Sequence, residues 1–161
     1  MSILIYSLKT NAWKHWWNLD RYYYLEHNGS YVFVNGCYHW IVSCSIYLRS
    51  FEMLVTFDIS AEVYKEIPLP QFEKTPSNES GLVVYHGSIG FVYIPDDDTS
   101  FSIWTLNEDV WTQKLTMNVD GGVWGPIIKW RDDMLLFGEK LFDTNTKEIF
   151  FLNDRVGHDC V

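Results

Sequence analysis

The sequence predicts an all-β fold made of repeated four-stranded antiparallel units, and three observations carry that prediction. First, a turn dipeptide sits between two apolar runs three times: VFVNGCYHWIV, LVVYHGSIGFVYI and IIKWRDDMLLF. Second, each is followed by an aromatic, a second turn and another apolar run: LVTFDISAEVYKEI, FSIWTLNEDVWTQKL and KLFDTNTKEIFFL. The leading aromatics are Phe57, Trp104 and Phe142, so the pair of hairpins recurs at roughly 40–50 residues, the period of a four-stranded blade. Third, eight Trp, ten Tyr and ten Phe in 161 residues favour strands over helices. Together these predict a partial β-propeller of about three four-stranded blades. The opening LIYSLKTNAWKHW copies the second half of a unit and adds a leading hairpin.

In chain order, Asn35-Gly36 is the strongest hairpin signal, because both central residues of a type I′ turn need positive φ. Tyr31 and Phe33 alternate with Val32 and Val34, so both faces of that strand are apolar, as expected between neighbouring blades. Turns at Thr10-Asn11, Ile59-Ser60, Asn107-Glu108 and Asn145-Thr146 recur at equivalent places. Pro68 and Pro70 end the first full unit, since proline cannot donate to a ladder. The units are placed at 31–67, 82–115 and 127–152, within one domain over 1–152, with an unpatterned tail over 153–161. Gln71–Ser80, Pro95–Ser100 and Asn118–Gly125 read as polar loops. A closed propeller needs roughly four to eight blades. The sequence therefore reads as a propeller incomplete on its N-terminal side, either the C-terminal part of a longer protein or a truncated relative, and its open edges predict poor solubility or self-association.

A net charge of −9 and a pI near 4.8 argue against nucleic acid, whose phosphates call for clustered Lys and Arg, and against anionic membrane surfaces. The acidic balance favours a basic protein partner, because complementary charge speeds encounter. Cys37, Cys44 and Cys160 are odd in number and lack CxxC spacing, which reads as reduced thiols. With neither a signal-peptide pattern nor a transmembrane-length run, the expected location is the cytoplasm, with the nucleus also open.

Catalytic and metal chemistry find little support. His39, between Tyr38 and Trp40, lacks the partners of a metal or catalytic site and reads as a packed, hydrogen-bonded histidine. Asp96-Asp97-Asp98 lacks the alternating spacing of a calcium loop and reads as a solvated turn. Ser88 lies in GSIG, outside a nucleophile elbow, and no phosphate-cradling loop occurs. The expectation is no catalytic residue, no metal and no cofactor. Trp13, Trp40, Trp104 and Trp111 fall at repeat or strand positions and are assigned to the core. Trp16, Trp17, Tyr22, Tyr23 and Tyr24 lie between half-units, where loops on a rigid scaffold carry binding and aromatic side chains make good anchors. The candidate partner-binding residues are Trp16, Trp17, Tyr22, Tyr23, Phe72, Asp97 and Trp124.

The ordered motifs YSLKTNAWK (6–14), VNGCYHWIV (34–42), TFDISAEVYKEIPLP (56–70), SIWTLNEDVWTQKL (102–115) and FDTNTKEIFFL (142–152) resemble the F-box-associated domain of plant F-box proteins, including the S-locus group. The resemblance spans about residues 3–152. It implies a non-enzymatic module that captures a target protein for an SCF-type ubiquitin ligase, with a style ribonuclease among the targets the S-locus group suggests. In that family an N-terminal F-box docks on a Skp-type adaptor. This sequence has no F-box pattern ahead of its repeats, so adaptor binding is expected only once an F-box is restored. The rival readings are a carbohydrate-binding or enzymatic propeller, and a fragment without independent function.

Overall fold

A computed structural model describes residues 2–18, 23–25, 31–46, 49–73, 76–77, 80–119, 122–123, 125, 127–131 and 133–152. The described secondary structure is essentially all strand. Strands β1 (Ser2–Ser7) and β2 (Ala12–Asn18) form a two-stranded hairpin. The first full sheet holds β3 (Tyr23–Leu25), β4 (Val32–Val34), β5 (Cys37–Ile46), β6 (Arg49–Asp58) and β7 (Val63–Pro68). The second holds β8 (Gly81–Tyr85), β9 (Ser88–Tyr93), β10 (Ser100–Asn107) and β11 (Val110–Asn118). The third holds β12 (Ile127–Arg131), β13 (Met134–Phe137), β14 (Lys140–Asp143) and β15 (Ile149–Phe151). Every pairing is antiparallel between sequence neighbours, apart from β3, which pairs β5. The predicted architecture of three four-stranded blades and a leading hairpin is therefore the one the chain adopts.

The first blade begins earlier than expected, because its inner strand is split. β4 pairs β5 at Val32↔His39 and β3 pairs it at Leu25↔Val42, on the same edge. More chain separates Leu25 from Val32 than separates His39 from Val42, so one ladder position is shared by two short strands.

Turn chemistry fixes the hairpins. Asn35-Gly36 (φ 53° and 78°) and His86-Gly87 (φ 46° and 74°) both take the left-handed pair that a type I′ turn requires. In the outer hairpins Asn11, Glu62, Asp109 and Lys147 hold equivalent left-handed positions, at φ 51°, 53°, 67° and 61°. The carboxylate before two of these turns satisfies the turn's amides. Asp58 Oδ1 accepts from Ser60 N (2.7 Å) and Ala61 N (2.8 Å), and Asp143 Oδ1 accepts from Asn145 N (2.8 Å) and Thr146 N (3.1 Å). These are Asx turns, in which a short side chain replaces a backbone acceptor.

The sheets stack face to face in chain order, and each middle sheet is apolar on both faces. One side of the first sheet (Trp40, Val42, Met53, Val55, Phe57) packs against Ile5 of the hairpin. Its other side (Val32, Ile41, Leu54, Ile67) packs on Leu82, Ile89 and Phe91 of the second sheet. The reverse face of the second sheet (Val83, Val92, Phe101, Ile103) meets Leu135, Phe137 and Phe142 of the third. Alternation along each strand sends successive residues to opposite interfaces. The sheets approach most closely at their first strands, β8 lying against β12, β4 and β5. They open outward from there, as blades around an axis do.

Polar contacts also cross between sheets. Asn35 Nδ2 donates to Gly87 O (3.3 Å), linking two inner turns. Lys14 pairs with Glu62, and Lys65 with Asp109. The two pairs are repeat-equivalent: a lysine on one outermost strand reaches the acid at the left-handed turn position of the next sheet. Both are exposed, so each contributes about 0–1 kcal/mol.

Two expectations about burial are corrected. Trp13 is 68% exposed rather than core, because no described sheet covers the hairpin face that it shares with Tyr6. Tyr31 and Phe33 are exposed while Val32 is buried, so the inner strand of the first sheet is covered on one face only.

Candidate partner-binding cleft

A cleft of about 400 Å³ opens where the chain leaves β7 and crosses to the outer half of the second sheet. Pro68 is the last residue of β7 to pair, opposite Met53, and Pro70 bars continuation of the ladder. Trp111 Nε1 donates to Pro68 O at 2.9 Å and Leu69 is buried, so the exit from β7 is pinned to the second sheet. This lays Phe72 over that sheet. Its ring stacks on Tyr93 with centroids 4.0 Å apart and planes 4° apart, and meets the edge of Trp104 at 5.8 Å and 81°. Phe91 lies beneath at 5.7 Å.

The polar side of the cleft comes from β10 and β11. Trp104 Nε1 donates to Ser102 Oγ at 3.0 Å, which fixes the indole in its plane. Opposite, Gln113 pairs across the ladder with Trp104 and Thr116 with Ser102, and Gln113 Nε2 donates to Thr116 Oγ1. A register shift between Ile103 and Trp104 leaves Lys114 as the extra residue on β11. Such a bulge twists a strand locally and re-aims its side chains. Glu73 is the charged residue among those lining the cleft. The exposed Asp96 and Asp97 follow its Pro95 wall. The cleft thus joins an aromatic wall to an amide-hydroxyl wall, with the Glu73 carboxylate in its lining. That arrangement suits an apolar anchor carrying an adjacent cation, which aromatic faces also attract.

Of the sequence-predicted site residues, Phe72 enters the cleft. Asp97 lies on the neighbouring turn, where its Oδ1 accepts from Thr99 N (3.4 Å) and Thr99 Oγ1 (3.0 Å). Trp16 and Trp17 fall within β2 and Tyr23 within β3, so they occupy strands rather than the connecting loops expected of them. Tyr22 and Trp124 lie outside the described residues. Tyr93, Trp104 and Gln113 were not foreseen as a site. Pro68 and Pro70 releasing the chain beside a strand that carries Trp104 is the signal that points to it.

His39 and Cys37 are packed within the first sheet. His39 is buried and its Nδ1 lies 3.0 Å from Thr56 Oγ1 on the facing strand. Burial lowers its pKa from the usual 6.5, against a smaller opposing effect of a backbone hydrogen bond at Val34. The Cys37 thiol is pushed up by burial and then by the Asp58 carboxylate, which keeps it protonated. Among the described residues no three His, Cys, Asp or Glu side chains gather as a metal site, and no helix is long and apolar enough to cross a membrane.

Four-stranded antiparallel blades stacked through apolar faces, with a cleft where the crossing segment lies on the second of them, define a β-propeller scaffold. The sequence matches the F-box associated beta propeller domain over residues 2–154, and the chain belongs to that family. No curated protein matches it. Among solved structures it is similar to the beta-propeller domain of the Trilobed protease from Pyrococcus furiosus, which has an open velcro topology. The identity is 13% over 80% of this chain and 42% of that one, with a TM-score of 0.47. The chain thus spans less than half the length of that structure.

Proposed function

We propose that the chain is a non-enzymatic protein-binding module that holds a target protein for an SCF-type ubiquitin ligase in the cytoplasm or nucleus. Its contact with a Skp-type adaptor would be supplied by an F-box. The observation that carries the reading is the cleft between the crossing segment 71–73 and the second blade, where Phe72, Tyr93 and Trp104 meet Glu73 and Gln113. Membership of the F-box associated family makes a protein the expected ligand. The cleft favours a short segment with an apolar or aromatic anchor beside Arg or Lys, in keeping with the charge of −9. A carbohydrate reading is weaker, because the face of Phe72 that a sugar ring would stack on is already against Tyr93.

The test is selection of displayed random peptides on the purified chain. The expected result is enrichment of basic-apolar sequences, with binding lost on Phe72→Ser and Trp104→Ala and kept in Val63→Ala, an exposed residue of β7 that does not line the cleft. Enrichment of acidic sequences, or binding indifferent to the two cleft variants, would overturn the reading.

A further inference from the structure

The rings of the cleft at Phe72 are set at an angle to one another, and that angle narrows the chemistry of what the cleft takes. Phe72 lies parallel to Tyr93, with planes 4° apart, and stands at 81° to Trp104 with centroids 5.8 Å apart. All three line one cavity with Glu73, an exposed carboxylate that follows Phe72 directly in the chain. Ring surfaces near a right angle beside a single carboxylate form the corner of an aromatic cage. Such a corner attracts a cation through the negative faces of its rings, and suits best a cation that is weakly hydrated.

The polar groups around the corner decide which cation fits. Trp104 Nε1 is committed to Ser102 Oγ at 3.0 Å, so the half-buried indole has ring surface left to offer a ligand. Gln113 Nε2 is committed in turn to Thr116 Oγ1. The hydroxyls of this wall thus already accept from their own neighbours. A lysine ammonium or an arginine guanidinium is all donor, and each donor taken from water without a good acceptor costs free energy. A lysine trimethylated at Nζ keeps its charge and carries no donor. Its methyl groups pack on aromatic rings as other apolar carbon does, while the charge stays within reach of the ring faces and the carboxylate. A volume of about 400 Å³ accommodates that head group together with its aliphatic stem.

We infer that the cleft recognises a methylated lysine on its protein partner. The trimethylammonium group packs on Trp104 and Phe72, with Glu73 as its counter-charge. This rests on the protein-binding reading above and deepens it, since capture then depends on the methylation state of the target. Membership of the F-box associated family is what favours a protein side chain over a free quaternary amine such as choline.

The experiment titrates the full chain with Nα-acetyl-Nζ-trimethyllysine methylamide. Affinity is read from the probe's methyl resonance, and location from the indole N–H resonance of Trp104. The expected result is a saturable shift of that indole and binding about tenfold tighter than that of two controls. One control is the unmethylated lysine probe; the other is a neutral isostere with carbon in place of Nζ. Glu73→Gln should weaken binding several-fold with an unchanged unfolding midpoint, because the side chain is exposed. Trp104→Ala should abolish binding, and Val63→Ala should leave it intact. Equal affinity for the trimethylated probe and either control would overturn the inference, as would choline binding more tightly than the probe. The displayed peptides are unmodified and test capture by themselves. Peptide binding that depends on Trp104, found together with equal probe affinities, would therefore remove this inference and leave the capture reading standing.

Discussion

Phe142→Ala probes the stacking of the blades. Phe142 is fully buried between the second and third sheets, with its ring edge-on to Phe101 at 5.1 Å. It belongs to the cluster that also holds Phe137, Leu135, Val92 and Ile103. Removing the ring loses the transfer free energy of its carbons and leaves a cavity that flanking strands, held in ladders on both sides, cannot collapse to fill. Truncations of this kind cost about 3–5 kcal/mol, and the lost aromatic pair belongs to that figure rather than adding to it. Urea unfolding followed by tryptophan fluorescence and by far-ultraviolet circular dichroism gives the change. The two signals should shift together to lower urea with an unchanged slope, because each middle sheet contributes residues to two interfaces and the stack unfolds as one unit. A loss below about 1 kcal/mol would refute the packing argument, and separated transitions would refute the coupling of the sheets.

Other outcomes follow from the same structure. Trp13→Ala, on a face that no described sheet covers, should change stability by no more than about 0.5 kcal/mol despite the size of the side chain, as thermal denaturation would show. Since burial lowers the His39 pKa in the folded state, the unfolded chain binds the proton more readily. Stability should therefore be flat above the ordinary histidine value and fall as pH drops below it, and His39→Gln should flatten that slope in urea titrations at stepped pH. Lys65→Ala breaks the exposed pair with Asp109 and should cost no more than about 1 kcal/mol, a difference that vanishes in high salt. Phe72→Ser removes a half-buried ring; it should weaken partner binding far more than it lowers the unfolding midpoint, as titration calorimetry beside thermal unfolding would reveal.

The hairpins were legible because local chemistry dictates them. Asn35-Gly36 supplies two left-handed residues, Asp58 and Asp143 supply acceptors to their own turns, and Pro70 cannot extend the ladder in which Pro68 is the last paired residue. Packing was legible only in part. Alternating apolar residues identify strands with two faces, but whether a face is buried depends on what lies across from it. Trp40 and Trp13 are both strand tryptophans, and the former is buried only because Ile5 and the first sheet enclose it. β3 was missed because Tyr23–Leu25 stands between polar and turn-forming residues, and its pairing with β5 is set at long range. The cleft was half visible. Phe72 could be picked out as an aromatic in a polar loop, whereas Trp104 read as core until the exit from β7 placed Phe72 against its edge.

The most direct test of target capture is reconstituted ubiquitin transfer. The chain would be fused behind an F-box, assembled with a Skp-type adaptor and the remaining ligase subunits, and given a reporter protein carrying a peptide selected on the parent chain. Ubiquitin should be transferred to that reporter, and transfer should be lost with Phe72→Ser while adaptor binding is unchanged. Equal transfer by the parent and Phe72→Ser fusions, or no transfer by either when both hold the adaptor and the parent still binds the peptide, would contradict the assignment of the cleft as the capture site.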